Sequence, residues 1–111
     1  MTAPRDTGVA LTTTSSFEGR GITRYAGIVA SEAIVVSGPI ENLKAGIFTM
    51  FGGRSGVEEN LLAKAREQVL LDLCKQASDK KANAVVGLRV DYESFRNEIL
   101  VTATGTAVVI V

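Results

Sequence analysis

Three stretches of patterned apolar residues organise the chain, and each predicts an element. From Ile22 to Ser37 the apolar residues are dense on both parities. Ile22, Ala26, Ile28, Ala30, Ile34 and Val36 fall on one face; Tyr25, Gly27, Val29, Ala33 and Val35 fall on the other. That predicts a long strand buried on two sides. Glu32 sits in the first set, where a lone carboxylate must be paired, solvated at an edge or functional. From about Gly56 to Lys80, Leu61, Leu62, Ala65, Val69, Leu73 and Ala77 recur at helical spacing. Arg66 falls within that arc, so a charge-assisted bond to a carboxylate or to backbone carbonyls is expected, with Glu59 the nearest carboxylate by spacing and Glu32 another from the sheet. Leu71 and Cys74 fall behind the stripe, which predicts contact with a second body such as another subunit.

The third stretch is a hairpin. Val86, Leu88, Val90 and Tyr92 alternate with Gly87, Arg89, Asp91 and Glu93. Val101, Ala103, Gly105, Ala107 and Val109 alternate with Thr102, Thr104, Thr106 and Val108. A turn centred on Arg96–Asn97 sets Tyr92 opposite Val101, Val90 opposite Ala103, Leu88 opposite Gly105 and Val86 opposite Ala107. On the polar face Arg89 meets Thr104 and Asp91 meets Thr102.

The joints between these stretches read as follows. Val9 to Ser16 predicts a strand, and Glu18-Gly19-Arg20-Gly21 a turn. Gly38-Pro39 opens a short helix carrying Ile40, Leu43, Ile47, Phe48 and Phe51 at helical spacing. Gly52-Gly53 would cap its end, and Ser55 with Glu58 forms a capping box for the long helix. The same turn has a second reading. The amides of Gly53, Arg54, Ser55 and Gly56, with the Arg54 cation, would cradle an anionic cofactor group. Neither P-loop nor dinucleotide spacing is present. The fold class is therefore α+β, an antiparallel sheet packed on one long helix plus a short helix. Residues 1–8 form a polar, flexible arm and 9–111 a single domain.

Composition narrows the function. Twelve basic residues balance twelve acidic ones, and six residues are aromatic, so neither nucleic acid nor anionic lipid is an expected partner. The polar start and the lack of a membrane-length apolar run point to the cytoplasm. The single cysteine, Cys74, cannot form an internal disulfide. With no histidine anywhere, His triads, His bases and His–metal sites are excluded. Tyr92, Asp91 and Arg66 are the residues an enzyme would use, but no nucleophile–base pair accompanies them, so a non-enzymatic role is expected. The role expected is binding of metal ions or a small ligand at subunit interfaces: Glu32, Asp91 or Glu93, repeated by the symmetry of an oligomer, would give an oxygen-ligand site for a divalent metal from one carboxylate per chain. The alternative is a scaffolding ring that docks partner proteins through the Ile40–Phe51 helix. Val108 to Val111 are all apolar, which calls for a strand neighbour, from another subunit by this reading.

Several motifs carry a resemblance. Thr12-Thr13-Thr14, Glu18-Gly19, Tyr25 with Gly27-Ile28-Val29, and Glu32-Ala33 lie in the first half. Phe51-Gly52-Gly53-Arg54-Ser55-Gly56 and Ala65-Arg66-Glu67 lie in the middle. Ala82-Asn83-Ala84-Val85-Val86-Gly87, Asp91-Tyr92 and Thr104-Gly105-Thr106-Ala107-Val108 follow. From Leu11 to Val108 the chain resembles the YbjQ-like family of small bacterial proteins, catalogued as "putative heavy-metal-binding". The resemblance implies a dodecin-like two-layer subunit and a ring-shaped homopentamer.

Overall fold

The computed structural model describes residues 7–37, 48–51 and 55–111. In chain order the elements are β1 (Ala10–Leu11), β2 (Ile22–Ser37), β3 (Phe48–Phe51), α1 (Ser55–Asp79), β4 (Ala84–Phe95) and β5 (Glu98–Ile110). The strands form one five-stranded sheet in the order β1-β4-β5-β2-β3. Its middle is antiparallel, β4 with β5 and β5 with β2, whereas β1 on β4 and β3 on β2 are parallel. The sheet is thus mixed and not antiparallel throughout. Helix α1 covers one face.

Phe48–Phe51 corrects an expectation. Its helical spacing gives way to parallel pairing with Ile34–Ser37. Two phenylalanines and a threonine suit a pleated strand, and a long strand alongside supplies the ladder. Ile40 to Ile47, Gly52, Gly53 and Arg54 lie outside the described residues. At the other margin, the strand expected over Val9–Ser16 shrinks to Ala10–Leu11. Hydroxyls take over beyond it: Thr14 N donates to Thr12 Oγ1 at 3.1 Å, and the Thr14 hydroxyl donates to Ser16 O at 2.6 Å. Such local bonds compete with ladder formation.

The hairpin holds its expected register from Arg89↔Thr104 to Phe95↔Glu98, with Val90 opposite Ala103 and Asp91 opposite Thr102. A bulge then intervenes, and Val86 pairs with Thr106, not with Ala107. Gly87 carries it at φ +63°, a left-handed conformation that glycine adopts without a Cβ penalty. The shift of one residue reverses the faces. Val85, Leu88 and Val90 point toward α1, while Ala84 and Val86 join Val108 and Ile110 in a second cluster on the far face, with Ala10, Phe17 and Ile22 against it. Paired irregularities between Ile22 and Arg24 and between Tyr25 and Gly27 do the same in β2. Ala26 therefore packs on the main core and Tyr25 shares a side with Val108, both opposite to simple alternation.

Among the described side chains of α1, those buried are Leu61, Ala65, Val69, Leu73, Cys74 and Ala77. A four-residue step overshoots a full turn by ~40°, so the stripe drifts around the helix as it crosses the sheet. A single average arc misplaces the residues at its flanks. Cys74 is fully buried in the core, and Arg66 is exposed. Leu71 is half-buried. The apolar chain end also finds its neighbours at home. Val108 and Ile110 are buried between β4 and β2, leaving Val111 70% exposed.

The helix stops in a Schellman arrangement: Ala82 N donates to Ala77 O at 2.9 Å and Lys81 N to Ser78 O at 2.9 Å, with Lys81 at φ 65°. Arg24 reinforces this end, its Nη2 donating to the carbonyls of Lys80 and Lys81 at 3.0 and 3.2 Å. Lys81→Gly removes the ~1–2 kcal/mol cost of a left-handed lysine against glycine's entropic penalty of ~0.5–1, so urea unfolding should show a net gain of about 0.5–1 kcal/mol. Gly105 gives the opposite case. A Cβ there would lie 2.5 Å from Val85 Cγ1 and 3.3 Å from the Val86 carbonyl oxygen. Gly105→Ala should cost ~1–3 kcal/mol in the same measurement, the range for an overpacked core.

Candidate functional site: the open face of the sheet

The face of the sheet turned away from α1 gathers the polar residues that the sequence singled out. Directly paired residues share a face, so the register places them. Glu32 pairs with Thr102 and Thr102 with Asp91, which makes one row across three strands. The neighbouring rows are Ala30–Thr104–Arg89 and Ile34–Leu100–Glu93. Glu32, Asp91 and Glu93 are all exposed. Adjacent strands are ~4.8 Å apart, so the Cα atoms of Glu32 and Asp91 are separated by about 10 Å with Thr102 between them. Asp91 takes a bond from Arg89 Nη2 at 3.3 Å, an exposed pair that contributes little to stability. Toward β2 the face becomes apolar: Ile28 is 79% and Tyr25 70% exposed.

The candidate enzyme residues are divided by the sheet. Tyr92 lies on the helix side, where its hydroxyl accepts from Arg66 Nη1 at 2.9 Å. Asp91 lies on the open face with Arg89. Arg66 thus meets a phenol, where a carboxylate or backbone carbonyls were expected, because its flank position on α1 brings it over β4. Glu59's side chain lies outside the described residues, and Glu32 is on the wrong side of the sheet. Of the candidate anion cradle, Ser55 and Gly56 are the first residues of α1. Gly53 and Arg54 lie outside the described residues.

Two amide side chains emerge that the sequence reading passed over. Asn83 mimics a strand residue: its Oδ1 accepts from Ile110 N at 2.8 Å and its Nδ2 donates to Ile110 O at 3.0 Å. Gln76 does the same for Ala30, accepting from its N–H at 3.2 Å and donating to its carbonyl at 2.6 Å. A shallow cleft of about 470 Å³ lies at this point, between Ala30–Glu32 of β2 and Asp72, Lys75, Gln76 and Asp79 of α1. Ser31, the buried polar residue beside it, bonds Asp72 Oδ2 at 3.4 Å. The signal available in the sequence was an amide among helix residues next to the apolar stripe, which spacing alone does not distinguish from a solvated one.

The donor set can be tested against metals. Among the described residues, no group of three or more Cys, Asp or Glu side chains is placed to hold an ion. Soft metals require thiolate or imidazole. Cys74 offers neither access nor charge. Burial pushes its thiol pKa up, against a smaller lowering by a hydrogen bond from Thr7. No described helix is long and apolar enough to cross a membrane.

The comparisons with known proteins agree with this fold. A family model of the YbjQ type, described as "Putative heavy-metal-binding", matches residues 9–111. A relative named UPF0145 protein, from Anoxybacillus flavithermus, is 40% identical over 99 residues, covering 88% of this chain and 94% of the relative. Among solved structures, a protein of unknown function from the DUF74 family of Pediococcus pentosaceus matches with a TM-score of 0.65 at 16% identity, over 94% of this chain and 99% of that one. At that identity the likeness concerns the fold.

The buried thiol yields a direct check. A raised pKa means that the folded chain keeps the proton. The contribution to stability is fully present below the ordinary thiol pKa of ~8.5 and is lost as the pH climbs beyond it. Ellman's reagent at about pH 8 should label Cys74 slowly in the native protein and fully in denaturant; rapid native labelling would contradict its burial.

Proposed function

The chain belongs to the YbjQ-like family, and from that premise we propose that it works as a non-enzymatic binding subunit of a homo-oligomer, taking a hard divalent cation where copies meet. The observation that carries this is the open face, where Glu32, Asp91 and Glu93 project from one side of the sheet with no described helix over them. Within one chain the described donors do not complete a site. Rotational symmetry supplies what one chain lacks, because each carboxylate recurs once per copy around the axis. Oxygen ligands suit calcium, magnesium or manganese. The heavy metals of the family description do not fit the described donors, since the one thiol is buried and the chain has no histidine.

Assembly is supported by the exposed apolar margin at Tyr25 and Ile28, which the chain's own helix leaves uncovered. Five copies follow from the family resemblance. The cytoplasm remains the expected compartment, with neither nucleic acid nor membrane as partner. The scaffolding alternative loses part of its docking element, because Phe48–Phe51 is strand and not helix.

Light scattering at micromolar concentration should give a multiple of the 11.7 kDa chain mass. Calorimetric titration should then show saturable heat with calcium, magnesium or manganese that Asp91→Asn, Glu93→Gln or Glu32→Gln weakens by at least tenfold in affinity, one charge of the site being removed from every copy. A monomer would defeat the assembly, and heat with cadmium but not with the hard cations would defeat the choice of ligand.

A further inference from the structure

The chain has two tyrosines, and their settings differ. Tyr25 is the more exposed, at 70% against 46% for Tyr92. It follows Arg24, whose guanidinium is already bound to the carbonyls of Lys80 and Lys81. Tyr92 stands between Asp91 and Glu93 on the extended backbone of β4. Strand alternation sends those two carboxylates to the open face and the phenol to the helix side. There the phenol oxygen takes a hydrogen bond from Arg66 Nη1 at 2.9 Å. Both side chains are exposed, so they can swing without any shift of backbone.

A phenol is a modest partner for a guanidinium, since it offers one oxygen and no charge. A guanidinium presents five N–H donors in a planar fork that fits the oxygens of a phosphate two at a time. The bond to Tyr92 uses one of those donors. An anionic group placed on the phenol oxygen would turn this neutral contact into a charge-assisted one. The flanking acids supply the other half of the case, because kinases select their substrates by the charge pattern around the acceptor. Tyr25, with an arginine before it and an alanine after it, lacks that pattern.

The geometry points to Tyr92 as a site of phosphorylation by a tyrosine kinase, with Arg66 as the built-in receiver of the phosphoryl group. The phenol oxygen attacks the terminal phosphorus of a nucleoside triphosphate held by the kinase. The bond from that phosphorus to its bridging oxygen breaks, the diphosphate leaves, and the phenolic proton passes to the kinase's catalytic carboxylate. The product carries a charge of about −1.5 to −2 and three acceptor oxygens. Arg66 must release the hydroxyl during the transfer, which a single exposed hydrogen bond of modest net strength permits. It then takes the phosphate oxygens, and a neutral contact between α1 and β4 becomes an ion pair. Asp91 and Glu93 lie on the other side of the sheet, so their repulsion acts across it while the attraction acts at contact distance. The modification is on the side opposite the proposed cation site and goes beyond that reading: it sets how firmly α1 is held to β4.

The test incubates the full chain with a tyrosine-kinase catalytic domain, ATP and magnesium, and maps the product by peptide mass spectrometry. One phosphoryl group is expected, on Tyr92; Tyr25→Phe keeps it and Tyr92→Phe abolishes it. Labelling of Tyr25 in preference, labelling of neither, or acceptance by a peptide of residues 86–98 but not by the folded chain would overturn the site. The receiver is read by thermal melting of the desalted product, followed by circular dichroism, which also checks that each variant is folded. Phosphorylation should raise the Tm of the wild type by a few degrees and leave unchanged or lower that of Arg66→Gln, with Arg66→Lys, a cation without the planar fork, between them. An equal shift in the wild type and Arg66→Gln would overturn the part given to Arg66. Neither measurement reads cation binding or oligomeric state, so its failure is distinct from a failure of the function proposed above.

Discussion

The backbone of Gly87 decides what the two sides of this sheet are made of. Strand side chains alternate strictly, so one inserted residue exchanges the faces of everything on one side of it. At φ +63° Gly87 makes that exchange between Val86 and Leu88. Val85 and Leu88 can then both face α1, and Val86 is released to the far side with Val108 and Ile110. Without the exchange, Val86 would crowd the helix and the far cluster would lose its centre. The two irregularities in β2 between Ile22 and Gly27 turn Tyr25 to the far side and Ala26 to the helix side, and they cancel at Ile22, which lies in the same far cluster. The sheet therefore has a helix-covered core along most of its length and a small self-covered core at one end.

Side-chain amides and a guanidinium finish what the ladders leave open. Asn83 extends β4 by pairing with Ile110, and Arg24 closes the carbonyl end of α1. Each of these groups has donor geometry that matches a backbone segment, and each sits where an element stops. The Ala82–Gly87 motif reads in this light as structural at both ends: Asn83 starts the strand and Gly87 bends it.

The elements were legible where periodicity was long. The limits of β2 and the hairpin register from Arg89 to Phe95 follow from patterning, because a slip of one residue would expose an entire row. What stayed hidden was the consequence of single residues. A glycine in a strand pattern announces a bulge without fixing its register effect, so simple alternation sets Val86 opposite Ala107 where the bulge gives it Thr106. Drift of the buried stripe along α1 moved Cys74 into the core and Arg66 to the flank. Phe48–Phe51 became a strand because β2 was available beside it, a tertiary cause with no local signature. For the site, the polar face of the hairpin was readable from parity; the place of Glu32 on that face was not, since β2 is apolar on both parities and parity alone leaves open which of them meets α1. The roles of Gln76 and Asn83 were not, since an amide bonding a distant backbone leaves no spacing rule behind.

The strand order also carries a kinetic meaning. β5 lies between β4 and β2, and its partners include Ile22 with Ile110, near opposite ends of the described chain. As β5 follows every other strand in sequence, the sheet has no middle until that last segment has been made. Before then β2 can collect only β3, and α1 has half a surface to rest on. Folding must therefore close a loop of nearly the whole described chain to seat β5 between β2 and β4, the kind of non-local pairing that slows folding.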